Sequence, residues 1–433
     1  MNLRRNALLL VLATALLAIA GQWSANDTLG RLWRLPAGLL LLGLAYEGWR
    51  AAHAAPSLRV DTAARWFLGR ATPLRLCLQT AQARALTLQL VPAAPPEIAL
   101  DRGVHTVVVP ARGSGDLALT GTARRLDRFG WPRMPARIGG VLGLAWWSAQ
   151  LAPGEHVQVV PDVLRENEPT IGVGWRGAQP APRRGAGAEV LQLRDYRRGD
   201  APRAIDWKAS ARFGKLISRD YAEDQHLEIV VAIDVGRASG LKAGETDRLA
   251  LYANIAARFA QRAALLDDSV GLLLYAHRPL AAVPPGRGTA AVARLRDCLA
   301  GARVQASDAN PVLAALRIRG LTRQRSLVIV LTGMDDPGTA GELSAAARLL
   351  LPKHLPFIAG VASVQAERLA TAAVGDALGA YQALAAQEHC AAVERNVDSL
   401  RALGAAAVLA RPELLEQSVL EAYLGFRQRR RVG

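Results

Sequence analysis

From Leu227 onward, short uninterrupted apolar runs alternate with stretches of helical period, and few folds accept that pattern. Leu227–Ile233 is apolar apart from Glu228, and Val270–Tyr275, Ser326–Leu331, Pro356–Val361 and Ala405–Leu409 read as further strands. Helical segments lie between them at Asp247–Leu266, Gly288–Leu299, Gly338–Leu350, Tyr381–Leu403 and Pro412–Leu424. Strands that are apolar on both faces must be covered on both faces, so the pattern predicts an α/β domain over 227–425 with a parallel sheet between helices. Ligands of such sheets bind at the carboxyl ends of the strands. That draws attention to Asp234, His277 and the Thr332–Asp336 turn.

Residues 56–165 read differently. Leu74–Leu78, Ala85–Leu90, Thr106–Val109, Leu117–Thr120 and His156–Val160 are short strand candidates, punctuated by Pro92, Pro95, Pro96, Gly103, Gly113, Gly115 and Pro153-Gly154. No run is long and helical. The spacing predicts a small β-sandwich-like domain, with His105 and His156 as structural or surface histidines.

Residues 1–50 predict a two-helix transmembrane hairpin. Ala7–Ala20 carries no charge and the uncharged run extends to Asn26, Leu35–Tyr46 is a second apolar run, and Trp23, Trp33 and Trp49 mark the run ends where interfacial aromatics belong. Arg4 and Arg5 at one end and Arg50, His53 and Arg59 at the other place both termini in the cytoplasm, against the weight of Arg31 and Arg34 in the connecting loop. On this reading the chain is a multi-pass protein of a bacterial inner membrane, with membrane lipid as a partner. The arginines of Arg427–Arg431 form either a solvated end or a lipid contact.

Three cysteines, Cys77, Cys298 and Cys390, are too few and too far apart for a disulfide framework or a thiolate metal site, and fit a reducing compartment. The formal charge is +16. Arginine is scattered through every region without an aromatic platform or a nucleic-acid module, so nucleic acid is not the expected partner. Gly214-Lys215 is followed by Leu216 and is no phosphate-binding loop.

The linking segment, 166–226, holds the densest information. Its core reads GAGAEVLQLRDYRRGDAPRAIDWKASARFGKLISRDY from Gly185 to Tyr221. Glu189, Leu193-Arg194-Asp195-Tyr196, Gly199-Asp200, Arg203, Ile205-Asp206-Trp207-Lys208 and Ala211-Arg212 stand in an order that closely resembles the signature of the bacterial domain of unknown function 58 family. Val190 departs from it, since the family usually has an aromatic after the glutamate. The strand ending in Asp234 and the later one ending in Thr332-Gly333-Met334-Asp335-Asp336 look like a von Willebrand factor A domain. The resemblance implies an adaptor or assembly factor, membrane-anchored and not an enzyme, that works through protein–protein contacts with a MoxR-type AAA+ ATPase. Within the signature two roles compete. Asp200, Asp206, Arg194, Arg203 and Arg212 form an ion-pair network over a packed Trp207, or the arginines present a docking surface to an acidic partner.

An A-type domain holds magnesium through Asp-x-Ser-x-Ser, with a Thr and an Asp from later loops. Here Asp234-Val235-Gly236-Arg237-Ala238 lacks both hydroxyls, and Arg237 brings positive charge where a cation would sit. The site of Asp234 and Asp335 is therefore expected to be degenerate, without metal or other cofactor. Ser307 or Asp308 is left as a candidate for the middle ligand. Two other classes stay open: a metal-dependent hydrolase using Asp234, Asp335 and Asp336, and a nucleic-acid-binding protein drawn from the charge.

Overall fold

The computed structural model describes residues 2–23, 31–53, 55–162, 184–222, 226–335, 337–373 and 375–432. The chain divides into two compact units. The first contains Met1–Asp162 with Gly240–Asn254 and Arg296–Val304, and the second Val163–Ser239, Ile255–Leu295 and Gln305–Gly433.

The first unit is built on antiparallel sheets. One is five-stranded, in the order β1 (Asn2–Leu3), β11 (Ala145–Leu151), β10 (Met134–Gly139), β5 (Leu86–Leu90), β7 (His105–Val109). The second is four-stranded, in the order β2 (Ser57–Thr62), β4 (Ala71–Gln79), β8 (Ser114–Ala123), β6 (Ile98–Leu100). A third holds β3 (Arg65–Phe67), β12 (His156–Val160) and β9 (Arg128–Gly130), in which β3 pairs parallel with β12. Alternate residues are buried along β4 (Leu74, Leu76, Leu78) and β5 (Leu86, Leu88, Leu90), as expected of strands with one wet face. A short hairpin, β16 (Lys242–Ala243) with β17 (Thr246–Asp247), also belongs to this unit.

The expected transmembrane hairpin is overturned, and with it the multi-pass inner-membrane location. The two helices exist, as α1 (Arg5–Trp23) and α2 (Arg34–His53), but no described helix is long and apolar enough to cross a membrane. The end of α2 is committed to protein. Glu47 is 1% exposed, and its carboxylate accepts hydrogen bonds from the backbone N–H groups of Leu142 (2.7 Å), Leu144 (3.2 Å) and Ala145 (3.1 Å). Gly43 and Gly48 flank it where a Cβ would stand 2.7 Å from Leu144 and from Trp147, so the helix lies close on the turn before β11.

The second unit carries a six-stranded sheet in the order β19 (Pro279–Gly286), β18 (Ser269–Tyr275), β15 (Glu228–Asp234), β20 (Leu327–Leu331), β21 (Leu355–Val361), β22 (Ala406–Ala410). All pairs are parallel except the edge pair of β18 with β19. Every residue of β20 is buried, and only the first residue of β15, Glu228, is not. One face packs Val230, Leu273, Val328 and Ile358 against α6 (Pro311–Leu321), α7 (Pro337–Leu350) and α9 (Ala377–Ala402). On the other, Phe357 stacks edge-on with Phe426 of α10 (Pro412–Val432), and Phe259 of α4 (Arg248–Leu265) with Tyr423. The remaining helices are α3 (Trp207–Phe213), α5 (Gly288–Ala300) and α8 (Val364–Ala370). Ahead of the sheet in sequence, β13 (Arg184–Asp195) and β14 (Ile217–Ala222) form a separate antiparallel hairpin.

Arg427, the first arginine of the C-terminal run, is paired within the protein. It donates to the carboxylate of Asp268, a side chain with no exposure, which also accepts from the Tyr423 hydroxyl and, at 2.8 Å, from the N–H of Leu227. Burial, reinforced by Asp268, holds the Tyr423 hydroxyl above the usual phenol range.

Candidate functional site

Two places in the second unit carry the residues singled out by the sequence. The first is the signature segment. β13 and β14 run antiparallel, with Arg194 opposite Ser218 and Asp195 opposite Ile217. Between them the chain turns at Gly199, passes a short 3-10 turn at Pro202–Ala204, and forms α3. Gly199 has φ +107°, a conformation that favours glycine, and this lets the chain reverse so that Asp200 faces back onto β13.

Arg194 organises the turn. Its Nη1 and Nη2 donate to the two oxygens of Asp200 at 2.7 and 2.8 Å, a planar fork on a planar carboxylate, while Nε donates to Asp220 at 2.9 Å. Asp220 also accepts from Gln192 at 3.0 Å, and Asp200 from the N–H of Arg197 at 2.9 Å. The Arg194 guanidinium lowers the Asp200 carboxyl from 3.8 to about 2. A depressed folded-state value means that the pair's contribution to stability is complete above about pH 4 and is lost only as pH falls through 2. An NMR titration of the Asp200 carboxyl should find its midpoint near 2, rising toward the ordinary value in Arg194→Met. A wild-type midpoint already near 3.8 rules out the fork.

Asp206 does a second job. One carboxylate oxygen caps α3 by accepting from the N–H of Ala209 (2.9 Å), and the other accepts from Arg219 Nε (2.9 Å). Arg219, followed by the capping N–H, holds its carboxyl below the usual range. Ser210, buried under α3, donates to the Asp206 carbonyl and accepts from the N–H of Ile217, which ties helix to strand.

The predicted network thus exists with different members. Asp200 pairs with Arg194 as expected, but Asp206 takes Arg219, and Arg203 and Arg212 are exposed. Trp207 is not packed beneath anything: it is 66% exposed, and Phe213 at the other end of α3 is 62% exposed. Tyr196 is half-buried, its N–H donating to the Leu216 carbonyl, and Lys208 is exposed. Glu189 and Val190 lie in β13 and their side chains fall outside the described ones. Sequence reasoning missed Gln192, Ser210, Arg219 and Asp220. The signal available was the alternation Ser218-Arg219-Asp220, with both charges reaching back to residues already singled out.

The second place is the crevice at the carboxyl ends of β15 and β20. Numbered in chain order, the six strands run 3-2-1-4-5-6, and the order reverses between these two, where doubly wound sheets bind ligands. Asp234 is 2% exposed; one oxygen accepts from the N–H of Gly236 (2.7 Å) and the other from the Thr332 hydroxyl (2.8 Å). Arg237 pairs with Asp308 (2.8 Å), and His277 Nδ1 lies 3.0 Å from the Ser307 hydroxyl. Asp335 lines a different hollow with Ser363, His389 and Glu394, and Asp336 lies outside the described residues. Among the described residues no three His, Cys, Asp or Glu side chains converge as a metal would need. The donor set does not fit magnesium: Gly236 and Ala238 supply no hydroxyl, and a Cβ at Gly236 would stand 3.0 Å from the Ala309 nitrogen and the Ser307 carbonyl. His226 and His277 serve opposite ends of the sheet: His226 precedes β15 and pairs with Asp267 (3.5 Å), whereas His277 follows β18.

Among solved structures, two likenesses are distant. BatB, a conserved hypothetical protein from Bacteroides thetaiotaomicron, is 16% identical over 47% of this chain and 99% of that one, with a TM-score of 0.32. The CARDB domain of the PF1109 protein from Pyrococcus furiosus is 7% identical over 24% of this chain and 93% of that one, at 0.17. Neither score supports an argument about fold or function. No curated protein matches. Residues 192–359, from Gln192 of the signature segment to Ala359 of β21, match the family model described as "Protein of unknown function DUF58".

Proposed function

We propose that this chain is a protein-interaction component, an adaptor or assembly factor for a MoxR-type AAA+ ATPase, and that α3 carries the contact. The observation behind this reading is the exposure of Trp207 and Phe213 on an ordered scaffold. Exposed large aromatics on a preorganised element are the residues on which binding energy concentrates at protein interfaces. The choice of an AAA+ ATPase comes from the family resemblance of the segment. Treating 227–425 as a von Willebrand factor A-like domain draws on the 3-2-1-4-5-6 strand order and on Asp234 and Thr332 at its crevice.

The hydrolase alternative has less behind it, because Asp234 is taken up by Thr332 and Gly236 while Asp335 lines a separate hollow. The test is a binding titration of the purified chain against a purified MoxR-type ATPase, with and without ATP. Saturable binding is expected, weakened about tenfold or more in Trp207→Ala with an unchanged thermal melt. Failure to bind in every nucleotide state overturns the proposal.

A further inference from the structure

Between Gln192 and Asp220 the chain has eight basic side chains (Arg194, Arg197, Arg198, Arg203, Lys208, Arg212, Lys215, Arg219) and four acidic ones (Asp195, Asp200, Asp206, Asp220). The carboxylates are all spent within the segment. Asp200 and Asp220 go to Arg194, Asp206 to Arg219, and Asp195 to Lys215 at 2.8 Å. Three cations satisfy four acids. Arg197, Arg198, Arg203, Lys208 and Arg212 are left over, all exposed and none meeting a carboxylate among the described residues.

The leftover charge is placed with some order. At 100° per residue, Trp207, Ala211, Lys208 and Arg212 fall within an arc of about 140° of α3, and Ser210, the helix's buried residue, lies outside that arc. Ala211 leaves room between the indole and the two cations. Arg203 is the middle residue of the 3-10 turn ahead of the helix, and Arg197 and Arg198 occupy the turn that Asp200 closes. The paired ions hold the turn and the helix in place, and the unpaired ones face outward.

We infer that this face is the receptor for an acidic protein segment: a run of Asp and Glu around one large apolar side chain, which would lie beside Trp207 over Ala211. The inference rests on the interaction reading above and adds the chemistry of the partner. Charge complementarity selects the occupant, because five cations without local counter-ions repel one another and an acidic segment relieves that repulsion. Single-stranded nucleic acid fits less well. It requires aromatic rings along one open surface, and Trp207 and Phe213 project about 120° apart around α3.

The experiment uses the full chain and three labelled probes: a short synthetic peptide of Asp and Glu around one Phe, its Lys and Arg counterpart, and an oligothymidylate. The acidic peptide is expected to bind, and to weaken about tenfold or more when salt rises from about 50 to about 300 mM. The combined substitutions Arg203→Glu, Lys208→Glu and Arg212→Glu should abolish binding. Arg323→Glu, an exposed cation elsewhere in the same unit, should leave it unchanged, with both variants melting like the wild type. Three outcomes overturn the inference: no binding of the acidic peptide, equal binding of the basic one, or oligothymidylate binding that is as tight and lost in the same variant. Should the ATPase bind in the Trp207-dependent manner while the acidic peptide fails, the adaptor reading stands and this inference alone falls.

Discussion

Asp268→Ala is expected to cost the parallel-sheet unit about 3–5 kcal/mol, because it leaves a partly buried arginine without its counter-ion. Asp268 is fully buried on the turn between α4 and β18, and three donors converge on it: the Leu227 N–H, the Tyr423 hydroxyl and the Arg427 guanidinium. One carboxylate therefore joins the start of β15, the start of β18 and the last helix. Tyr423→Phe keeps the charge pair and should lose only about 1–2 kcal/mol. Urea titrations that follow the unfolding of this unit measure both. A loss below about 1 kcal/mol for Asp268→Ala means that the cluster is better hydrated than its geometry implies.

The second large effect is expected at Glu47→Ala, at about 3 kcal/mol or more. Removing the carboxylate strands the N–H groups of Leu142, Leu144 and Ala145, and an unsatisfied buried donor costs about 1–3 kcal/mol. Glu47→Gln keeps one acceptor oxygen and should recover about half of that loss. Thermal unfolding of the antiparallel unit reads the difference, and hydrogen exchange at residues 142–145 localises it. Equal stability of the alanine variant and the wild type removes the claim that this carboxylate holds α2 on the turn.

The same residue shows why the N-terminal helices were misread. Periodicity and hydropathy report that a face is apolar, not whether lipid or protein covers it. Glu47, ending the run Leu35–Tyr46, was the available sign that the helix finishes inside protein. The parallel sheet was legible because Val230, Val231, Val328 and Ile329 sit in unbroken apolar runs with amphipathic helices between them. Its edge strand β19 was not, since Pro279, Pro284 and Pro285 read as breakers, and a strand with three prolines is accommodated at the edge of a sheet, where fewer ladder donors are needed. The helix α6 was missed although Asn310 caps it and Pro311 opens it, signals that needed no periodicity. At the signature segment the order of charges was legible and their pairing was not. Residues as far apart as Arg194 and Asp220 meet only because a hairpin returns the chain, and Trp207 belongs to a helix too short to show a buried face by its pattern.

The closed crevice beside Asp234 has a consequence for protein engineering. Gly236→Ser would set a Cβ 3.0 Å from the Asp234 carboxylate and from main-chain atoms of Ser307 and Ala309, so an A-type metal site requires the facing loop to give way. Those residues are anchored in turn, since Gln305 and Ser307 share backbone hydrogen bonds with Val235 and Arg237. The two loops are complementary shapes. Transplanting both together avoids that contact and trades the Arg237–Asp308 pair for a divalent ion.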